Sequence, residues 1–473
     1  MLFNSFEFIW IFPIIFAAYY AVAHFFPRKR IEAANVTLLL VSYILYFKWN
    51  PVYTLLLLGI TAVTYFGAII VHRENRRRRR VSLAFLAVVA VLLPLLIFKY
   101  YNFLLSIFTS LFAKVGLSVG IPGLNWAIPI GISFFTFQAL GYFFDVYRDK
   151  MEPERNWWHY MLFVSFFPQI ASGPISKAQE LLPQIKGERK FSAELASEGM
   201  RLLLWGLFLK LVVADRLALY VDTVYGSWEL YSGSSLAFAA VLYTFQIYGD
   251  FAGYSFMAIG VARLLGFDLI NNFRQPYLST SITEFWRRWH ISLSRWLKDY
   301  VYIPAGGSRK GNWKTHRNIL WTFLISGIWH GANITFIIWG VLHGIVQSIE
   351  KLLGLQQRPV RKWIVFFRIL LTFAIVTLAW IFFRAPTVED ACGIIGRIFT
   401  APGQLYMAEG TQMLLTFFAL FAVIVSDIAV EYYSFSLLRV RNHTVRWSAY
   451  VALSLIILLF GVLDSSQFIY VNF

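Results

Sequence analysis

Apolar runs of the length that crosses a bilayer recur from one end of the chain to the other, broken by short segments rich in arginine and lysine. The first, Phe6–Phe26, ends at Arg28-Lys29-Arg30. With no small-residue cleavage site after it, it reads as a retained span. Ala34–Trp49 and Val52–Val71 form a hairpin turning at Asn50-Pro51, and Arg73–Arg80 follows as a second basic loop. Val81–Ala113 crosses next, with Pro94 as a kink, and Ala127–Val146 returns. Further spans are expected at Met200–Tyr220, Leu236–Leu265, Trp363–Phe383, Met413–Ala429 and Trp447–Leu463.

Two runs break the pattern. Trp157–Gly173 has Arg155 before it and Lys177 after it. With basic residues on both sides it cannot cross once, and it reads as re-entrant or interfacial. Asn318–Glu350 is likewise flanked by Lys314 and Arg317 on one side and Lys351 on the other. It is too long for one span and short for two, so a broken or re-entrant helical pair is expected, with Gly327, Gly331 and Ala332 near the bend. The loop charges give about ten full crossings with both termini outside. No linker and no soluble segment interrupts the pattern, which predicts one integral membrane domain over residues 1–473.

Composition agrees: 58% of the 473 residues are hydrophobic and 14% charged, against roughly a quarter charged in soluble domains. The net charge of +17 would suggest nucleic acid for a soluble protein. Here the positive residues cluster in short loops between spans, so no nucleic-acid partner is expected. The single cysteine, Cys392, excludes an internal disulfide and a cysteine-based zinc site, and the eight histidines lack metal-ligand spacing, so no metal is expected. Gly306–Gly311 has Asn312 where a phosphate-binding loop needs lysine, and no HExxH, CxxC or GxSxG is present.

What remains is histidine in apolar surroundings. His330 lies in SGIWHGANITF, at the expected bend of the helical pair. Irregular backbone at that depth must line a cavity or be buried in protein, and ionisable residues inside a membrane are functional candidates by default. His343, in WGVLHG, reads as a packing residue. The second candidate is Phe285–Pro304, FWRRWHISLSRWLKDYVYIP. Projected as one helix, Arg287, Arg288, Arg295, Lys298 and Asp299 fall within about 120° of one another. Trp286, Trp289, His290, Leu293 and Trp296 fall opposite. Such a helix lies at the membrane interface, and its basic face suits an anionic cytoplasmic donor of the coenzyme A kind. A transporter or flippase would call for internal repeats and paired intramembrane charges, and neither is evident along the chain.

The segments RRWHISLSRWLKDYVYIP and SGIWHGANITFIIWG resemble the paired histidine signature of the membrane-bound O-acyltransferase (MBOAT) family, in its alginate-type branch. PIGISFFTFQALGYFFDVYR from Pro129, FFPQIASGPISK from Phe166, FQIYGDFAGYSFMAIG from Phe245, NNFRQPYLSTSITEFWRRWH from Asn271 and WIFFRA from Trp380 carry the same resemblance. It covers essentially the whole chain. Phe256, Ala305 and Ile334 depart from the pattern, where such relatives commonly have Asp, Leu and Trp. None of these touches the histidine pair.

The resemblance implies an all-α polytopic fold, with a ring of about ten transmembrane helices and re-entrant or interfacial helices around a central tunnel. It implies an activated acyl group entering from the cytoplasm and leaving on a hydroxyl outside, with His330 essential and His290 its partner. A neutral imidazole within reach of a hydroxyl can take its proton, which gives His330 the general-base role. His290, Trp329 and Asn333 are candidate donors to the developing oxyanion; Arg287, Arg288, Trp286 and Trp289 are candidate contacts to the donor. Acetyl-CoA as donor, an exported polysaccharide as acceptor and an extracytoplasmic SGNH-type acetyltransferase as partner are expected, in a bacterial inner membrane. D-alanyl transfer to teichoic acid from a carrier protein is the alternative.

Overall fold

The computed structural model describes residues 3–117, 120–309, 311–355, 362–462 and 469. Among these the regular structure is helical. The chain groups into two compact units, one of residues 1–200, 258–270 and 470–473, the other of residues 201–257 and 271–469.

The first unit holds α1 (Phe6–Phe25), α2 (Arg30–Trp49), α3 (Pro51–Arg73), α4 (Arg77–Lys114), α5 (Ile132–Tyr147), α6 (Trp157–Ser165), α7 (Ala178–Lys186) and the start of α8 (Ala193–Leu207). Consecutive helices α1 to α4 pack as neighbours. Asn50 caps α3 by accepting from the Val52 and Tyr53 N–H groups, which makes the turn the sequence marked at Asn50-Pro51. The helix α4 runs straight through Pro94 for 38 residues, roughly 57 Å at 1.5 Å per residue. The helix α5 begins later than the apolar run suggests. Pro129 lies upstream and Gly131, at φ +74, forms its N-cap with the Ile170 carbonyl so close that a Cβ there would stand 2.0 Å away. The nine-residue α6 is too short to cross, and the turn after it, through Gly173, is buried throughout. The run thus does not cross as one span, in keeping with its basic flanks.

The second unit holds α9 (Asp215–Gly226), most of α10 (Gly233–Leu264), α11 (Ile282–Arg288), α12 (Ile291–Leu297), α13 (Asn312–His330), α14 (Ile334–Leu352), α15 (Lys362–Arg384), α16 (Val388–Thr400), α17 (Gly410–Tyr433) and α18 (His443–Phe460). The expected last span ended at Leu463, which lies outside the described residues. Seven helices among the described residues are long and apolar enough to cross a membrane by themselves: α1, α2, α3, α4, α15, α17 and α18. The chain is a multi-pass membrane protein.

The expected span Met200–Tyr220 is not a uniform helix. Between α8 and α9 the turns widen to π geometry over Phe208–Ala214. Gly249 and Gly253 of α10 press against this stretch; a Cβ on either would stand within 3 Å of the Leu209 or the Gly206 carbonyl. Small residues four apart allow such close backbone approach in membranes. At the widened turn Lys210 sits between Asp250, at 2.7 Å, and Asp215, at 2.8 Å, all three buried. The Ile469 N–H donates to the other Asp250 oxygen at 2.7 Å. The sequence reading found no paired charges evident and missed this cluster. Asp215 is only five residues on from Lys210, but Asp250 comes from another helix, and that pairing is invisible along the chain.

Topology is testable through single cysteines in a Cys392→Ser chain, since the native Cys392 is exposed. Cysteines replacing residues of the Arg76–Arg80 run should be shielded from an impermeant thiol reagent in intact cells, and those at Ser232 or Gln404 should react. Labelling of the arginine run from outside would reverse the orientation.

Candidate active site

His330 is the last residue of α13, where the helix gives way to Gly331, Ala332 and Asn333 before α14 begins. The two helices form a tight hairpin because glycines line their contact. A Cβ on Gly327 would stand 2.4 Å from the Phe336 carbonyl, and one on Gly340 2.4 Å from the Phe323 carbonyl. The His330 ring is 1% exposed. Its Nδ1 donates to the Ser326 carbonyl, one turn back, at 2.7 Å. A carbonyl can only accept, so the proton is held on Nδ1 and the lone pair of the neutral ring lies on Nε2. The ring is enclosed by Trp339 at 4.7 Å, Trp329 at 4.9 Å and Phe383 at 5.5 Å between centroids.

The segment expected as one interfacial helix is broken at its other histidine. Helix α11 stops at Arg288, His290 takes φ +42, and α12 starts at Ile291. The reason is a competing backbone partner. The buried Asn272 accepts from the Ile291 N–H through its carbonyl at 3.0 Å and from the Ser292 N–H through Oδ1 at 3.1 Å, and donates through Nδ2 to Ser255 at 3.2 Å. The Arg274 N–H meets the Arg288 carbonyl at 3.0 Å. These bonds replace the helical ones that would have run through Trp289 and His290. His290 is consequently buried in the core, against Phe251 at 4.6 Å and Trp329 at 6.0 Å. Trp329 thus packs against both histidines.

A cavity of about 440 Å³ opens between α11–α12 and the α13–α14 hairpin. Arg287, Lys298 and Lys351 on its lining are exposed, and Arg295 is half-buried. Trp286, Ile291, Ile319 and Phe323 make its walls. Ser326, whose carbonyl holds His330, lines its buried end. Of the remaining sequence candidates, Trp286 and Arg287 line this cavity; the others have different work. Trp289 is fully buried in an aromatic stack with Phe285 at 5.5 Å and Trp380 at 5.1 Å. Arg288 ties Glu284, at 2.6 Å, to Glu431 of α17, at 2.9 Å. Burial pushes the Glu284 carboxyl up, but hydrogen bonds from Thr280 and the Arg288 charge outweigh it and hold it below the usual range. Asn333 caps α14 by accepting from the Thr335 N–H and donates its amide to the Pro386 carbonyl.

Three supports were missed in the sequence. Ser326 carried a visible signal, lying four residues before His330 on one helix. Asn272 carried none, since its partners are 19 and 20 residues away. Glu350 reaches back from α14 to accept from the Ile282 and Thr283 N–H groups, at 2.5 and 3.1 Å, and fixes the start of α11 against the hairpin.

The sequence model of MBOAT, the membrane-bound O-acyltransferase family, matches residues 154–386, which include both histidines. A probable alginate O-acetylase AlgI of Pseudomonas putida is 36% identical over 92% of this chain and 87% of its own length. The chain belongs to this family. A peptidoglycan O-acetyltransferase of Helicobacter pylori is 34% identical, over 84% of this chain and 79% of its own. A teichoic acid D-alanyltransferase of Bacillus subtilis is 27% identical, over 75% and 91%. The protein is therefore a membrane acyltransferase.

Asn272→Ala removes a buried acceptor and a buried donor and leaves the Ser292 N–H unpaired, a loss of about 1–3 kcal/mol. Activity is expected to fall more than tenfold while the protein still elutes as one species by size exclusion. An Asn272→Ala protein with wild-type turnover would show that the His290 conformation does not matter.

Proposed function

We propose that this protein is an O-acetyltransferase that moves acetyl from a cytoplasmic thioester donor, acetyl-CoA, towards hydroxyls of an exported polysaccharide, with His330 as general base. The observation that carries the reading is the hydrogen bond from His330 Nδ1 to the Ser326 carbonyl, next to a cavity whose lining carries arginine and lysine. The polyanionic end of a coenzyme A thioester meets those cations, and its thioester end reaches the buried end of the cavity at Ser326. The acceptor hydroxyl gives its proton to Nε2 as its oxygen attacks the thioester carbonyl. The tetrahedral oxyanion then collapses, the carbon–sulfur bond breaks, and the thiolate takes the proton back from the imidazolium. Ester and thiol are the products. His290 and Trp329, packed against each other with Trp329 against His330, are candidate donors to the oxyanion. Asn333, with its amide already donated to Pro386, is not.

The orientation that follows places the basic cavity in the cytoplasm, both termini outside, and the protein in a bacterial inner membrane. The acetyl group is handed to an extracytoplasmic SGNH-type acetyltransferase, which completes transfer to the glycan. The relatives named for alginate and peptidoglycan O-acetylation support acetyl as the group moved. The more distant teichoic acid D-alanyltransferase keeps a second reading in play, a carrier-bound donor at the same cavity, because a carrier's thioester arm meets the same cations.

His330→Ala should lower acetyl transfer about 10²–10⁴-fold without changing the size-exclusion profile or donor binding. His443→Ala, at the exposed start of α18, should leave it unchanged. Labelled acetyl transfer in proteoliposomes is the assay. A folded His330→Ala protein with near-normal turnover would sink the assignment.

A further inference from the structure

We propose that Trp339 sets the upper size of the acyl group, so that the site accepts chains of two or three carbons and excludes longer ones. The proposal rests on His330 as the base. During attack the hydroxyl oxygen must lie about 3 Å from Nε2 and about 3–3.5 Å from the acyl carbon. That carbon therefore sits within roughly 6 Å of the imidazole when the hydroxyl proton passes to Nε2 and the carbon–sulfur bond breaks. The rest of the acyl chain takes no part in this exchange, and only the room beside the ring judges its length.

The rings of Trp339, Trp329 and Phe383 already stand within that distance of His330. Of these Trp339 is the nearest and is fully buried. It cannot retreat. Trp380 stacks behind it at 5.5 Å and 20°, and His343 lies against it at 5.2 Å. The next residue along the chain, Gly340, is pressed on the Phe323 carbonyl so closely that the backbone has no slack. Phe383 is braced in the same way by Phe336 at 4.8 Å and Trp380 at 5.1 Å. Protein interiors packed this densely resist even one added methylene.

The experiment is a comparison of donors. Labelled acetyl-, propionyl- and butyryl-CoA are supplied to inside-out membrane vesicles from cells producing the protein, and label fixed as hydroxyl ester is counted. The same acyl groups on N-acetylcysteamine, the thioester end that coenzyme A and a carrier arm share, run in parallel, so that the chain-length preference is read whichever of the two is the natural donor. Each methylene that a pocket must reject changes kcat/KM by about 10–200-fold. The wild type should therefore use butyryl at least tenfold less well than acetyl. Trp339→Leu should raise the butyryl-to-acetyl ratio at least tenfold, with Trp339→Phe, the milder change, in between. Wild-type protein that uses butyryl as readily as acetyl overturns the proposal, as does a folded Trp339→Leu or Trp339→Phe protein with the wild-type ratio. A His330→Ala protein that stayed active would overturn the base instead, and would leave this ratio measurable, so the two readings fail separately.

Discussion

An imidazole in a dry site can accept a proton only at the nitrogen that does not already carry one. At His330 the choice is made by a single contact, Nδ1–H to the Ser326 carbonyl. Ser326 lies one turn back from His330 on α13, and its carbonyl, with two lone pairs, can accept the imidazole N–H beside a helical one. Much else in the second unit serves to keep this helix end where it is. Gly327, Gly340 and Gly344 let α14 fold back closely against α13, and the rings of Trp339 and Phe383 fill the remaining space.

The same logic explains the irregular backbone at His290. Left-handed φ in a residue with a side chain is strained and persists only where its surroundings over-determine it. Here Asn272 supplies the hydrogen bonds that the interrupted helix loses, and Glu350 supplies those at the start of α11. Both supports join α11–α12 to other parts of the unit, Asn272 to the segment before α11 and Glu350 to α14. His290 and His330 are consequently held by connected scaffolding, with Trp329 against both.

The periodic and compositional parts of this fold were legible in the sequence. Apolar length gave the seven long apolar helices found among the described residues, basic flanks marked the short α6 and the paired α13–α14, and the Asn50-Pro51 turn was read from its residue types. The resemblance marked His330 and His290. Contacts between residues distant in sequence stayed hidden. The projection of Phe285–Pro304 assumed an unbroken helix, and nothing local opposes one: Trp289 and His290 are ordinary helix residues. The opposition comes from Asn272. For the same reason Arg288 and Trp289 read as ligand contacts, when one is spent on two carboxylates and the other on aromatic packing.

The buried charges of Lys210, Asp215 and Asp250 bear on what kind of membrane protein this is. In a transporter such groups lie where ions or substrate pass, and their charge is balanced by what moves. Here one cation holds two carboxylates. Lys210 bonds both carboxylates, and Asp250 gains a backbone N–H from Ile469. Removing one partner of a buried ion pair is strongly destabilising, because it leaves a charge with no compensation. A set bonded in this way holds its neighbours together. Its neighbours are the π-turn and α10, pressed into contact by Gly249 and Gly253. Two residues on from Gly249 along α10 is Phe251, whose ring packs on His290. The triad thus fixes the helix on which one of the two histidines rests, which ties the ion pairs to the scaffold of the site.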